Sequence, residues 1–139
     1  MAAEFSISRR VQFAETDMAG VVHFSNYFRW MEEVEHAFFQ SVGLSVVMQH
    51  EGREISWPRV AVACEYFGPL RFEDELDLRL RVIKVGEKSF TYEVDFVKAG
   101  HRVALGKATS VCCAVQPQGG FSAIAIPPEI KEKLAAARG

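Results

Sequence analysis

Cysteine is scarce in this chain: Cys64, Cys112 and Cys113 are the only three in 139 residues, and two of them are adjacent. An odd count with that spacing speaks against a disulfide framework or a zinc site, and the apolar surroundings suit reduced, buried thiols. Histidine is equally sparse, with four residues (His23, His36, His50 and His101) scattered singly. They form no metal-ligand pair, and no metal is expected. No basic block breaks the near balance of 16 Lys and Arg against 18 Asp and Glu, so nothing points to a nucleic-acid partner. No apolar run approaches the roughly 18 residues of a membrane span, and no signal-peptide apolar region opens the chain. A cytoplasmic protein with no membrane partner is therefore expected. Repeats, linkers and low-complexity tracts are also absent. What is present is 49% hydrophobic residues, enough for one domain over residues 1–139 with a real core.

The apolar residues are strongly patterned. Residues 4–13 alternate, with Phe5, Ile7, Arg9, Val11 and Phe13 on one side, and read as a first strand. Residues 26–42 change to helical spacing. Tyr27, Trp30, Met31, Val34, Ala37, Phe38 and Val42 share one face, and Arg29, Glu32, Glu33, His36 and Gln40 the other. Ser25 or Asn26 suits the N-cap, and Gly43 the left-handed stop. Strands follow over 60–67, over 76–82, around Phe90–Phe96 and over a long 103–115, with turns at Gly86-Glu87 and Ala99-Gly100. The last of these strands carries the small residues Ala104, Gly106, Ala108 and Ser110 on one face, which admits close approach by the helix. Proline in its first turn suits a short terminal helix over 127–137. Strand, long helix, then antiparallel strands joined by tight hairpins make an α+β layout, one curved sheet with a helix on one face.

The stretch Thr16-Asp-Met-Ala-Gly20-Val-Val-His23-Phe-Ser-Asn-Tyr27 sets an acid, a glycine and a histidine just before that helix. A helix N-terminus offers free N–H groups and partial positive charge to an oxyanion. A carboxylate beside it can act as base or nucleophile on the group held there. Taken alone, Asp17 reads first as a turn or capping residue.

This layout and motif resemble the hotdog-fold acyl-CoA thioesterases, most closely the 4-hydroxybenzoyl-CoA thioesterase family. The likeness continues through Tyr27-Phe-Arg-Trp-Met-Glu32 and Ser41-Val-Gly43-Leu44 to Lys88-Ser89-Phe90, and covers roughly residues 5–115. It implies a curved antiparallel sheet wrapped around one helix, and a homodimer or homotetramer with active sites between subunits. It also implies hydrolysis of an aromatic or short-chain acyl-CoA without cofactor. Asp17 then matches the catalytic carboxylate and the Phe24 backbone N–H the oxyanion donor, while Gly20 permits close approach of substrate. Lys88 and Ser89 match positions that touch coenzyme A phosphates, and Tyr27 is a core residue or a wall of the pocket. His23 polarises the carbonyl, orients water or forms an aromatic wall. The chain departs from the family at Val85, Gly86 and Glu87, where basic residues precede the lysine in the aromatic-substrate branch, and at Glu35, where many relatives carry arginine.

Two other activities fit the same fold: a hydratase or dehydratase of acyl thioesters, and a non-catalytic acyl-CoA binding module. Glu35 stands apart from the other helix acids because it lies within the apolar arc. It is expected to sit at the arc's edge and reach water, or else to pair with a basic residue of a neighbouring subunit or face the acyl pocket.

Overall fold

The computed structural model describes residues 4–137. In chain order its strands are β1 (Phe5–Arg10), β2 (Met48–His50), β3 (Arg53–Ser56), β4 (Arg59–Tyr66), β5 (Glu75–Val85), β6 (Ser89–Lys98), β7 (His101–Val111), β8 (Cys113–Val115) and β9 (Phe121–Ala123). The helices are α1 (Ser25–Ser41) and α2 (Pro128–Leu134), the latter running on as a 3-10 turn to Ala137. Five antiparallel strands form the main sheet in the order β1-β5-β6-β7-β4, and β2-β3-β8-β9 form a second sheet.

The alternation read in the sequence becomes register. Phe5 pairs with Leu80 and Ile7 with Leu78, Leu80 with Val94, and Val94 with Gly106. The apolar side of this sheet receives α1, whose Tyr27, Trp30, Met31, Val34, Phe38 and Phe39 are buried while Arg29, Glu32, Glu33 and Gln40 face out. Fully burying a side chain of this kind contributes about 1.5–3 kcal/mol. The small residues of β7 serve the expected purpose: a Cβ on Gly106 would lie 2.5 Å from Met31 Sδ, so glycine lets Met31 seat directly on β7. Gly43 closes the helix at φ +80°, as expected.

Three expectations are corrected. The long strand over 103–115 breaks at Cys112, whose N–H bonds to Lys88 O at 2.7 Å. That break carries the chain from the main sheet into the second one. Neither Ser25 nor Asn26 caps α1; Phe24 occupies the N-cap, itself with helical φ and ψ. Glu35 neither reaches water nor waits for another subunit. It is 1% exposed and ion-paired with Arg59 of its own chain. The apolar arc is broad enough to bury position 35, and a buried carboxylate needs a counter-charge; the first residue of β4 supplies it.

One edge of the main sheet is bare. Every residue of β4 except Cys64 is exposed, with Val60 at 63% and Val62 at 54%. Val62, Cys64 and Tyr66 stand opposite Ala108, Gly106 and Ala104, on the helix side of the sheet.

Candidate active site

The loop from Glu15 to Phe24 folds back on itself as a short hairpin. The Asp17 N–H bonds to Val21 O at 2.9 Å, and Thr16 and Val22 form an isolated antiparallel bridge. Gly20 turns the tip at φ +79° with open space where a Cβ would be, so the backbone here is accessible as the motif requires. Asp17 closes its own turn, with one carboxylate oxygen accepting the Ala19 N–H at 2.9 Å. The residue is exposed, and its second oxygen faces no donor among the described residues. Phe13, Thr16, Asp17, Met18, Gly20 and Phe72 line an open cleft of about 590 Å³, and Phe13 and Phe72 meet edge to face at 5.5 Å.

The missed cap explains the chemistry of the helix end. Ser25 spends its hydroxyl on His23 Nδ1, 2.7 Å away, and Asn26 donates its amide to Glu15 O at 2.8 Å. The Ser25 N–H donates to His23 Nδ1 (3.3 Å), the Asn26 N–H to His23 O and the Tyr27 N–H to Phe24 O. Among the described residues the Phe24 N–H finds no acceptor. One open donor thus remains at the positive end of α1, a few residues along the same hairpin from the Asp17 carboxylate. Phe24 O in turn accepts the Tyr66 hydroxyl at 3.0 Å, tying the helix start to the end of β4.

The other predicted residues fall in three places. The His23 ring is exposed and stacks on Phe24 at 4.6 Å. Tyr27 is 3% exposed, in contact with the rings of Tyr66, Trp30 and Phe96 beneath the loop; burial pushes its phenol up to about 12. Lys88 and Ser89 lie elsewhere. Ser89 pairs with Val111, whose N–H reaches Pro58 O, so they stand at the Arg59 end of β4 while the Asp17 hairpin stands at the Tyr66 end. The seven steps from Arg59 to Tyr66 along β4 separate the two, about 23 Å at 3.3 Å per step. A single protomer does not bring Asp17 and Lys88 together.

Sequence reading missed a second cavity of about 270 Å³ between α1 and β4, lined by Phe28, Met31, Glu32, Arg59, Val62 and Tyr92. It begins one helical turn beyond Phe24. Its far end is polar, with the Arg59 guanidinium paired to Glu35 and 3.8 Å from Glu32. Burial pushes the Tyr92 phenol up to about 12, against the pull of Arg59, so it remains a hydroxyl donor at neutral pH. The anomalous position of Glu35 within the apolar arc was the one signal in the sequence for this end of the cavity. Among the described residues no group of three or more His, Cys, Asp or Glu side chains is placed to hold a metal, and no helix is long and apolar enough to cross a membrane.

Antiparallel sheets with one long helix packed on the apolar side of the larger sheet make this a hotdog fold, and the relatives that share it are thioester hydrolases, the class to which this chain belongs. The chain belongs to the thioesterase-like superfamily, whose family model matches residues 11–134. It is 34% identical over 104 residues to a 1,4-dihydroxy-2-naphthoyl-CoA hydrolase of Prochlorococcus marinus, covering 70% of this chain and 67% of that one. Among solved structures it resembles a hypothetical protein from Aquifex aeolicus, with 30% identity, TM-score 0.84, and 94% and 98% of the two chains covered. It also resembles a gentisyl-coenzyme A thioesterase, with 28% identity, TM-score 0.80, and 94% and 99% covered. The expected family and fold are thereby borne out.

Proposed function

We propose that this single-domain hydrolase cleaves the coenzyme A thioester of a hydroxylated aromatic acid, with Asp17 as the catalytic carboxylate. The observation that carries the reading is the open Phe24 N–H at the start of α1, next to the Asp17 hairpin and one turn from the cavity that ends in Glu32, Arg59 and Tyr92. The thioester carbonyl oxygen accepts that N–H, which stabilises the charge developing on it; one such donor is worth about 10²–10³ in rate. The Asp17 carboxylate then follows one of two courses. It adds to the carbonyl carbon and expels the coenzyme A thiolate, leaving a mixed anhydride that water opens. Alternatively it takes a proton from water as that water adds, and the thiolate leaves in the same way. Both yield the free acid and coenzyme A. A thiolate leaves readily, so a carboxylate suffices as base. His23, stacked on Phe24, walls the entrance, and Gly20 keeps the backbone open to the substrate.

The acyl group lies in the cavity of about 270 Å³, near the lower limit of ligand pockets and suited to one or two fused rings. Its apolar walls receive the ring. Glu32 offers an acceptor, and Arg59 and Tyr92 offer donors, for ring hydroxyls. The two named relatives act on acyl groups of this chemistry.

Assembly follows from β4. An exposed apolar edge strand invites pairing. Two β4 strands joined antiparallel about a two-fold axis set the Tyr66 end of one subunit beside the Arg59 end of the other. Asp17 of one protomer then shares a site with Lys88 and Ser89 of its partner, which hold the coenzyme A phosphates. A dimer, alone or doubled into a tetramer, is the functional unit.

The test is release of free thiol from a panel of acyl-CoAs. Hydroxybenzoyl- and dihydroxynaphthoyl-CoA should be hydrolysed with higher kcat/KM than long aliphatic acyl-CoAs. Hydration of an enoyl-CoA without thiol release would overturn the reading in favour of a hydratase.

A further inference from the structure

Glu15 ends the short 3-10 turn Phe13–Glu15 at the base of the Asp17 hairpin, and both its carboxylate and its carbonyl are engaged by other segments. One carboxylate oxygen accepts Arg9 Nη1 and the Gln12 N–H, each at 2.8 Å. The other accepts the Trp30 indole N–H at 2.8 Å. Its carbonyl oxygen accepts the His23 N–H at 3.0 Å and the Asn26 amide at 2.8 Å. The Arg9 guanidinium also lies over the Trp30 ring, 4.7 Å from its centroid. The side chain is 14% exposed. Burial raises its pKa, but the hydrogen bonds from Arg9, Gln12 and Trp30 outweigh that and hold the carboxyl below its usual value.

These bonds join β1, both legs of the hairpin and two successive turns of α1 at one residue. The hairpin tip has no such support: Met18 is fully exposed, and a Cβ at Gly20 would meet only open space. Val22 N–H to Leu70 O (2.8 Å) and Tyr66 to Phe24 O are the other tethers of this loop, and neither joins the Asp17 leg to the helix. Asp17 lies two residues after Glu15, and Phe24 directly follows the His23 that Glu15 holds. Both groups of the proposed reaction are therefore referenced to one anchor.

Resting on the site proposed above, we infer that Glu15 is a positioning residue for hydrolysis: its ionised carboxylate fixes the Asp17 hairpin against the α1 N-terminus, and so sets the Asp17 carboxylate relative to the Phe24 N–H. The side chain takes three donors and no acceptor, so an amide in its place must turn an NH₂ toward a donor. A misplacement of about 1 Å can cost about 10²-fold in rate.

The experiment is steady-state hydrolysis by E15Q, D17N and the double variant, with melting temperature measured on each. E15Q is expected to lower kcat at least about 10-fold with KM within about twofold, the signature of an effect confined to the transition state. In the D17N background the same change should do little more, because there is no carboxylate left to position. E33Q is the control. Glu33 binds Arg9 from the other side (3.1 Å) but does not touch the hairpin, so kcat should be unchanged. If E15Q does not fold, W30F withdraws one donor and keeps the Arg9 pair, and its smaller loss should likewise vanish against D17N. Unchanged kcat in the folded variant, or losses that multiply in the double variant, would overturn the inference. Normal turnover by D17N alone would instead bring down the site assignment, so the two failures are distinguishable.

Discussion

β6 and β4 belong to the same sheet, yet their surroundings are opposite. β6 runs through the middle, buried along most of its length, with Phe90, Tyr92, Val94 and Phe96 packed under α1. β4 is bare on its outer edge and exposed nearly throughout. Its one irregularity in pairing falls between Arg59 and Ala61, so Val62 to Tyr66 remain a regular edge with Glu65 as its one charge. The difference divides the labour of the fold. The central strands carry stability, and the groups proposed for chemistry gather at the two ends of the edge strand. Changes at the centre should therefore lower melting temperature and spare turnover in the remaining folded protein, and changes along the edge should do the reverse.

The largest effect that would break this division concerns Phe96, fully buried against Tyr27 and Trp30. Phe96→Ala should cost about 3–5 kcal/mol of stability through lost burial and the cavity left behind, read by chemical denaturation. A loss below about 1 kcal/mol would show that the centre is not what holds the fold.

Next is Asp17→Asn, which keeps shape and removes charge. Turnover should fall at least about 10²-fold with little change in melting temperature, since the residue is exposed. Near-normal turnover would end its assignment.

Subunit mixing sharpens the comparison between the two ends of β4. In an isologous dimer with shared sites, D17N and K88A subunits refolded together should regain about a quarter of wild-type kcat/KM, because half the dimers pair one D17N with one K88A subunit and each of these holds one intact site. K88A alone should mainly raise KM, less so at high salt. Recovery no better than the average of the two parents, or a monomer in light scattering, would overturn the shared site and take Lys88 out of it.

The smallest effect lies where the regions meet. Glu35→Gln leaves Arg59 without its buried counter-charge, and because Arg59 is itself 29% exposed the cost should be about 1–2 kcal/mol, below that of breaking a fully buried pair. The ranking of acyl-CoAs should shift with it, since Arg59 ends the acyl cavity. An unchanged ranking would remove Arg59 from substrate selection.

Much of this molecule was legible in its sequence, and the exceptions share a cause. The limits of α1, the turn at Ala99-Gly100, the stop at Gly43 and the role of Gly106 follow from local periodicity and backbone chemistry. β2 and β3 were missed because they are short and joined by a turn at Glu51 and Gly52, which leaves no periodicity to read. The break at Cys112 depends on Lys88, far away in sequence. The same holds at the site. Asp17, Gly20 and the open Phe24 N–H were visible in a contiguous motif, but Ser25 and Asn26 look like caps until the structure gives their polar groups to His23 and Glu15. Arg59 was invisible as the partner of Glu35, because 24 residues separate them.

Gly106 has a consequence for how this sequence can vary over generations. With 2.5 Å between an added Cβ and Met31 Sδ, an alanine at 106 requires the flexible end of Met31 to move. The helix bears Phe24 at one end and the proposed acyl cavity along its flank, and Met31 lines that cavity, so a methyl group on β7 would be felt there through Met31. Positions 106 and 31 are thus expected to vary together, and a library randomised at both should be enriched in matched pairs.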